Sequence, residues 1–113
     1  MIYSNNVYDQ LCSSKTYGAT DYYNVAPYEM LEFSPSVVFS PGQDDQSVRV
    51  EFRIISAKNK VLWSSVLTSA SPPELVQVPI AGQQIVGLET SALDPGSCAE
   101  VFAAFLGPRL STP

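Results

Sequence analysis

The chain has 113 residues, 45% of them hydrophobic, so it predicts one soluble globular domain with a core of its own. Eleven acidic residues against six basic ones give a net charge of −5, and scattered basic residues argue against nucleic acid and anionic membrane surfaces as ligands. No apolar run approaches the roughly 20 residues that a membrane-spanning helix needs, so membrane insertion is not expected.

The first part of the chain is rich in tyrosine. All six tyrosines lie within the first 28 positions, among Asn, Ser, Thr and Asp, and no hydrophobic period is sustained there. We therefore expect residues 1–27 to form a semi-ordered arm or loop region, and residues 28–113 to form the folded sandwich of a single domain.

Tyrosine combines an apolar ring face with a hydroxyl, which suits stacking on sugar rings or filling a protein interface. Asn and Asp side chains beside such rings can hydrogen-bond sugar hydroxyls. The alternative is that the rings only cover the open end of the sandwich. The candidate ligand-binding residues are Tyr17, Tyr22, Tyr23 and Asn24.

From Pro35 onward, prolines and glycines recur at intervals of about ten residues, without any long segment of helical period. Turn signals at that spacing predict an all-β sandwich or barrel, and we expect a β-sandwich with jelly-roll character. The predicted strands are 28–33, 37–40, 47–55, 61–67, 75–80, 84–90 and 99–106.

The clearest strand signal lies between residues 48 and 54, where apolar and charged side chains alternate strictly. The polar segment 58–60 then predicts a turn into a second strand that contains Trp63, which is expected to pack in the core. Pro79 predicts a strand that lies at an edge or ends there, because proline cannot donate to a ladder. Segment 99–106 is apolar on both faces, which indicates a central strand, and a short helix is the alternative, since Ala-rich runs favour one.

Residues for catalysis are scarce. The chain has no histidine, which excludes Ser-His and Cys-His nucleophile systems within it, and we expect no enzyme activity. The loop 43–46 supplies oxygen ligands of the kind that calcium takes, so Asp44 and Asp45 form a possible calcium site. The alternative is an ordinary loop before a hairpin.

Two cysteines, Cys12 and Cys98, lie far apart in the sequence. They either pair, which would close a long loop, or remain two separate thiols. With no histidine, they cannot complete a tetrahedral zinc site.

Residues 28–110 follow an order of features that resembles the carbohydrate-binding domains called NPCBM. The similar segments are 39–45 (Phe-Ser-Pro-Gly-Gln-Asp-Asp), 47–54 (Ser-Val-Arg-Val-Glu-Phe-Arg-Ile), 61–65 (Val-Leu-Trp-Ser-Ser), 72–82 and 97–105. The family's amino-terminal tryptophan strand and its glycine-histidine segment are not recognisable here, and Phe102 stands where a tryptophan is common. The resemblance implies a galactose-binding-like β-sandwich attached to glycoside hydrolases or related secreted proteins.

Together these features predict a non-catalytic carbohydrate-binding or adhesion module, extracellular or at the cell surface, although no secretion signal is visible. The alternative is a structural subunit of a filament, coat or surface assembly, in which the tyrosine-rich arm docks on another copy. The expected partner is thus a carbohydrate or another protein chain, with a homo-oligomer in the second case.

Overall fold

The computed structural model describes residues 6–12, 17–39, 48–93 and 101–112. Every helix or strand among them is a β-strand, so the all-β prediction is confirmed. The strands are β1 (Val7–Leu11), β2 (Gly18–Asn24), β3 (Met30–Phe39), β4 (Val50–Ser56), β5 (Val61–Leu67), β6 (Val76–Pro79), β7 (Ile85–Ala92) and β8 (Val101–Ser111).

The strands form two antiparallel four-stranded sheets. The first sheet has the order β1-β8-β3-β6 and the second has the order β2-β7-β4-β5. The inward side chains of both sheets contribute to one hydrophobic cluster, so the sheets pack face to face as a β-sandwich with jelly-roll character.

Four aromatic rings connect the two sheets at the centre of the sandwich. Phe33 and Phe105 of the first sheet are 5.2 Å apart, and Phe105 is 5.4 Å from Phe52 of the second sheet. Trp63 lies 5.3 Å from Phe33 at 79°. These are edge-to-face pairs, a favourable arrangement for ring quadrupoles. The half-buried Trp63 therefore packs against the core, as expected.

The alternating segment forms β4 as predicted. Val50, Phe52 and Ile54 are fully buried, whereas Glu51 and Arg53 lie on the outer face. The polar turn after β4 is also present, with Asn59 at φ +63°. Ser56 Oγ accepts hydrogen bonds there from the backbone N–H groups of residues 58 and 60.

The expectation of a semi-ordered arm over residues 1–27 is wrong for the part of that segment that the structure describes. β1 pairs with β8, and β2 pairs with β7, along their whole lengths. Leu11 and Val25 are buried in the shared core. The sequence shows little period there because β2 has only half-buried and exposed positions.

Prolines and glycines end fewer strands than predicted. β3 continues through Pro35, because β6 pairs only with residues 30–33 and leaves no neighbouring strand on that side. β8 continues past Gly107, whose φ of +57° lies opposite a register shift in β3. The edge position of β6 and the interior position of β8 agree with the predictions.

Cys12 is disulfide-bonded, which decides between the two alternatives for this residue. Cys98 lies outside the described residues. Within the described ranges, no helix is long and apolar enough to cross a membrane.

Candidate functional site

The structure separates the four predicted ligand residues. Tyr22 and Asn24 project from the outer face of the second sheet, whereas Tyr23 points inward and packs against the core. Tyr17 precedes the far end of β2, about 17 Å along the strand from Tyr22 at the usual rise per residue. Only Tyr22 and Asn24 therefore share a surface.

The Tyr22 ring is exposed to solvent and packs against the neighbouring strand. Its side chain is 55% exposed, and its register partner on β7 is Gly87. A Cβ at position 87 would lie 3.0 Å from Tyr22 Cε1 and 2.8 Å from Ile55 Cγ1. The ring therefore lies against the strand beside Ile55, because the glycine leaves room for it.

A row of polar side chains crosses the sheet next to Tyr22. Thr20 Oγ1 donates to Glu89 Oε2 at 3.2 Å. Arg53 Nε lies 3.1 Å from Glu89 Oε1 and 3.1 Å from Glu51 Oε1. Arg53 Nε forms no hydrogen bond of good geometry, so these contacts are ionic. One cation between two carboxylates leaves this row with a net negative charge.

The surface continues from Asn24 into an open pocket at the end of the sandwich. Asn24 Oδ1 accepts a hydrogen bond of 3.3 Å from the backbone N–H of Ala26. Ala26 lines a pocket of about 200 Å³ together with Tyr28, Gln83 and Gln84. The pocket thus offers a ring and two amide side chains, which suit a ligand with several hydroxyl groups.

Sequence analysis missed most of this surface. Arg53, Glu89, Gly87 and Tyr28 were assigned only to strands, because their proximity depends on pairing between distant segments. A signal was present in Gly87, since an isolated glycine within a strand often marks a close approach.

The possible calcium ligands Asp44 and Asp45 lie outside the described residues. Among the residues that are described, no group of three or more His, Cys, Asp or Glu could hold a metal ion.

The chain resembles carbohydrate-binding domains of known structure. One is the structure of the CBM51-2 domain in complex with GlcNAc and the INT domains of Clostridium perfringens ZmpB. The identity is 16% over 82% of this chain and 21% of that chain, and the TM-score is 0.58. Another comprises the M60 catalytic, CBM51-1 and CBM51-2 domains of the same protein. There the identity is 16% over 85% of this chain and 11% of that chain, with a TM-score of 0.56.

This chain spans about a fifth or less of the length of those proteins. No family model matches the chain, and no curated protein matches it in sequence. The structural likeness shows the fold alone, a galactose-binding-like β-sandwich. Membership of the NPCBM family in particular stays a prediction.

Proposed function

We propose that this chain is a non-catalytic carbohydrate-binding or adhesion module whose ligand lies on the outer face of β2. The observation that carries the proposal is the exposed Tyr22 ring, which packs close to Gly87 and has the Asn24 side chain beside it on the same face. A ring face and a neighbouring amide are complementary to the apolar face and the hydroxyl groups of a sugar.

Within this proposal the predicted residues have different roles. Tyr22 stacks on a sugar ring, and Asn24 accepts a hydrogen bond from the backbone of Ala26, which lines the pocket with Tyr28 and the two glutamines. Tyr23 supports β2 from the inner side of the sheet. Tyr17, at 39% exposure, lies too far along the strand to contact the same sugar.

The fold supports the proposed function, because its structural neighbours are carbohydrate-binding domains. The disulfide at Cys12 supports a location outside the cell or at its surface, where thiols stay oxidised. No observation on the described residues favours self-assembly through an arm, since β1 and β2 are already paired within the chain.

The test is a glycan array screen followed by calorimetry with the best glycan. Replacing Tyr22 with Ala should weaken binding at least about tenfold, or ~1.4 kcal/mol, because the stacked apolar area is lost. Tyr22→Phe should keep most of the affinity. Val66→Ala, a truncation at another exposed position of this sheet, is the matched control.

Unchanged binding by Tyr22→Ala with an intact fold would remove this surface from the site. Absence of any glycan ligand would overturn the proposed function itself. A survey of hydrolytic activity on the bound glycan tests the expectation that the chain is not an enzyme.

A further inference from the structure

The outer face of the first sheet also presents an aromatic surface, and its central part is uncharged. One row across the strands contains Gln10, Phe102 and Val38, and the next contains Tyr8, Ala104 and Ser36. Among the described residues of this face, charged side chains first appear two rows further on, where Arg109 lies opposite Glu32 in the register. The outer face of the second sheet differs, because it carries charged residues directly beside Tyr22.

Tyr8 is the most exposed aromatic residue on this face and its position is fixed. Its side chain is 57% exposed, and its hydroxyl accepts a hydrogen bond of 3.3 Å from Asn6 Nδ2. Asn6 Oδ1 in turn accepts a hydrogen bond of 2.7 Å from the backbone N–H of Gly107. The ring is therefore held in place from β8, which lowers the entropy cost of stacking a ligand on it.

A cavity of about 150 Å³ adjoins this face on the side of β3. Its lining shares Ser36 and Leu106 with the outer face, and most of its polar groups are hydroxyls. The hydroxyl-bearing residues are Ser34, Ser36, Thr68, Ser69 and Ser71.

One of these hydroxyls lacks a partner. Ser71 Oγ accepts from the backbone N–H of Thr68 at 3.0 Å, and Thr68 Oγ1 accepts from that of Ala70 at 3.2 Å. Ser69 Oγ, in contrast, is buried without any hydrogen-bond partner. An oxygen with almost no accessible surface cannot reach a ligand, so the cavity offers a ligand the hydroxyls of the half-buried Ser34 and Ser36 instead.

We propose that the outer face of the first sheet is a second carbohydrate-binding surface, for a neutral polysaccharide that stacks on Tyr8 and hydrogen-bonds in the cavity at Ser34 and Ser36. Tyr8 and Ser36 lie two strand spacings apart, about 10 Å, so a short stretch of sugar residues reaches from the ring to the cavity. The ligand is neutral because the face between these points has neither a cation for an acidic sugar nor a carboxylate for an amino sugar.

That the ligand is a carbohydrate rests on the proposed function, whereas the location of this surface on the first sheet does not. Because the two surfaces lie on opposite sides of the sandwich, one chain can contact two polysaccharide strands. The module would then cross-link polysaccharides as well as bind them.

Affinity electrophoresis of the intact chain tests the inference, with galactomannan, xyloglucan and mixed-linkage β-glucan in the gel as neutral probes and polygalacturonate as the anionic one. Tyr8→Ala should weaken retention by a neutral probe at least about fivefold, and Ser36→Ala should weaken it about twofold. Val66→Ala should behave as the unmodified chain. Val38→Glu, which adds a charge at an already exposed position, replaces Tyr8→Ala if that variant does not fold.

Failure of this inference is distinguishable from failure of the proposed function. If the unmodified chain binds no neutral probe, the second surface is overturned, whereas the proposed function is overturned only if the glycan array also yields no ligand. If Tyr22→Ala removes all binding while Tyr8→Ala and Val38→Glu remove none, only the second surface is overturned. If sedimentation shows a dimer that Tyr8→Ala dissociates, the face is an interface between copies, and the inference is also overturned.

Discussion

Asp9 is a carboxylic acid placed between the two sheets. It projects inward from β1, is only 8% exposed, and its Oδ2 accepts a hydrogen bond of 2.9 Å from Thr90 Oγ1 on β7. Burial, helped by the nearby carboxyl of Asp21 on β2, raises the pKa of Asp9 to about 6, even though the hydrogen bond from the Thr90 hydroxyl opposes the rise. Asp9 therefore keeps its proton to a higher pH in the folded chain than in the unfolded chain.

The raised pKa predicts how stability depends on pH. Between the ordinary carboxyl pKa of about 3.9 and the folded value of about 6, the folded chain binds more protons than the unfolded one. Its free energy of unfolding must then fall as the pH rises through this window, and level off above it. Removing the charge from position 9 should abolish this fall.

Asp9→Asn keeps the size and the hydrogen-bonding capacity of the side chain without its charge. We expect the variant to be more stable than the unmodified chain at pH 7 by about 1–3 kcal/mol, and equally stable near pH 3.5. Urea unfolding at a series of pH values measures this difference, and Glu74→Gln, at an exposed position, is the control. If the free energy of unfolding of Asp9→Asn depends on pH as that of the unmodified chain does, Asp9 is not the group that causes the pH dependence.

At the scale of the strands, the sequence predicted best where hydrophobic alternation is strong and the partner is near. β5 has the predicted bounds, and β4 has the predicted inward residues. The strands that were missed, β1 and β2, pair with β8 and β7 from distant parts of the chain. Pairing of that kind depends on the whole fold and leaves little periodic signal in a short strand.

The same reasoning explains the errors at proline and glycine. Pro35 was taken to separate two strands, but its effect depends on whether a neighbouring strand needs its N–H group. Gly107 was taken to end a strand, but its positive φ instead produces an irregularity within β8. Local sequence does not contain the information that decides either case.

β1 should be essential to the fold. It pairs with β8 over five residues, and Leu11 is fully buried in the core. Leu11→Ala should lower the free energy of unfolding by about 2–5 kcal/mol, because it leaves a cavity between the sheets. The exposed neighbour Gln10 is the control, and Gln10→Ala should change stability by less than about 0.5 kcal/mol.

Deletion of residues 1–12 extends this test from one side chain to the whole strand. It removes the edge partner of β8 and exposes apolar side chains, so we expect the shortened chain to aggregate or to lose cooperative unfolding. Thermal melting, monitored by circular dichroism, measures the stability of Leu11→Ala, of Gln10→Ala and of the deletion. A deletion that melts like the full chain would contradict an essential β1 and agree with the semi-ordered arm expected from the sequence.

The whole molecule combines predictable and unpredictable features. The tyrosine-rich composition predicted a contact surface, which stays a prediction, and of its four residues only Tyr22 and Asn24 lie on one face. Two other features could not be predicted, because they depend on the pairing of β2, β7 and β4. They are the contact of the Tyr22 ring with Gly87 and the ionic row of Glu51, Arg53 and Glu89. The surface around Tyr8 required the pairing of the two ends of the chain, so no local pattern could reveal it.

The net charge of −5 distinguishes the proposed neutral ligands from charged ones. Binding of a neutral polysaccharide releases no counterions and involves no long-range attraction, so raising NaCl from 0.1 to 1 M should change its Kd by less than about twofold. An acidic polysaccharide would be repelled at 0.1 M, and screening would strengthen its binding as salt is added. Calorimetry at four salt concentrations, with galactomannan and polygalacturonate as the two ligands, makes the comparison. A galactomannan affinity that falls steadily with the logarithm of the salt concentration would contradict recognition through ring stacking and neutral hydrogen bonds.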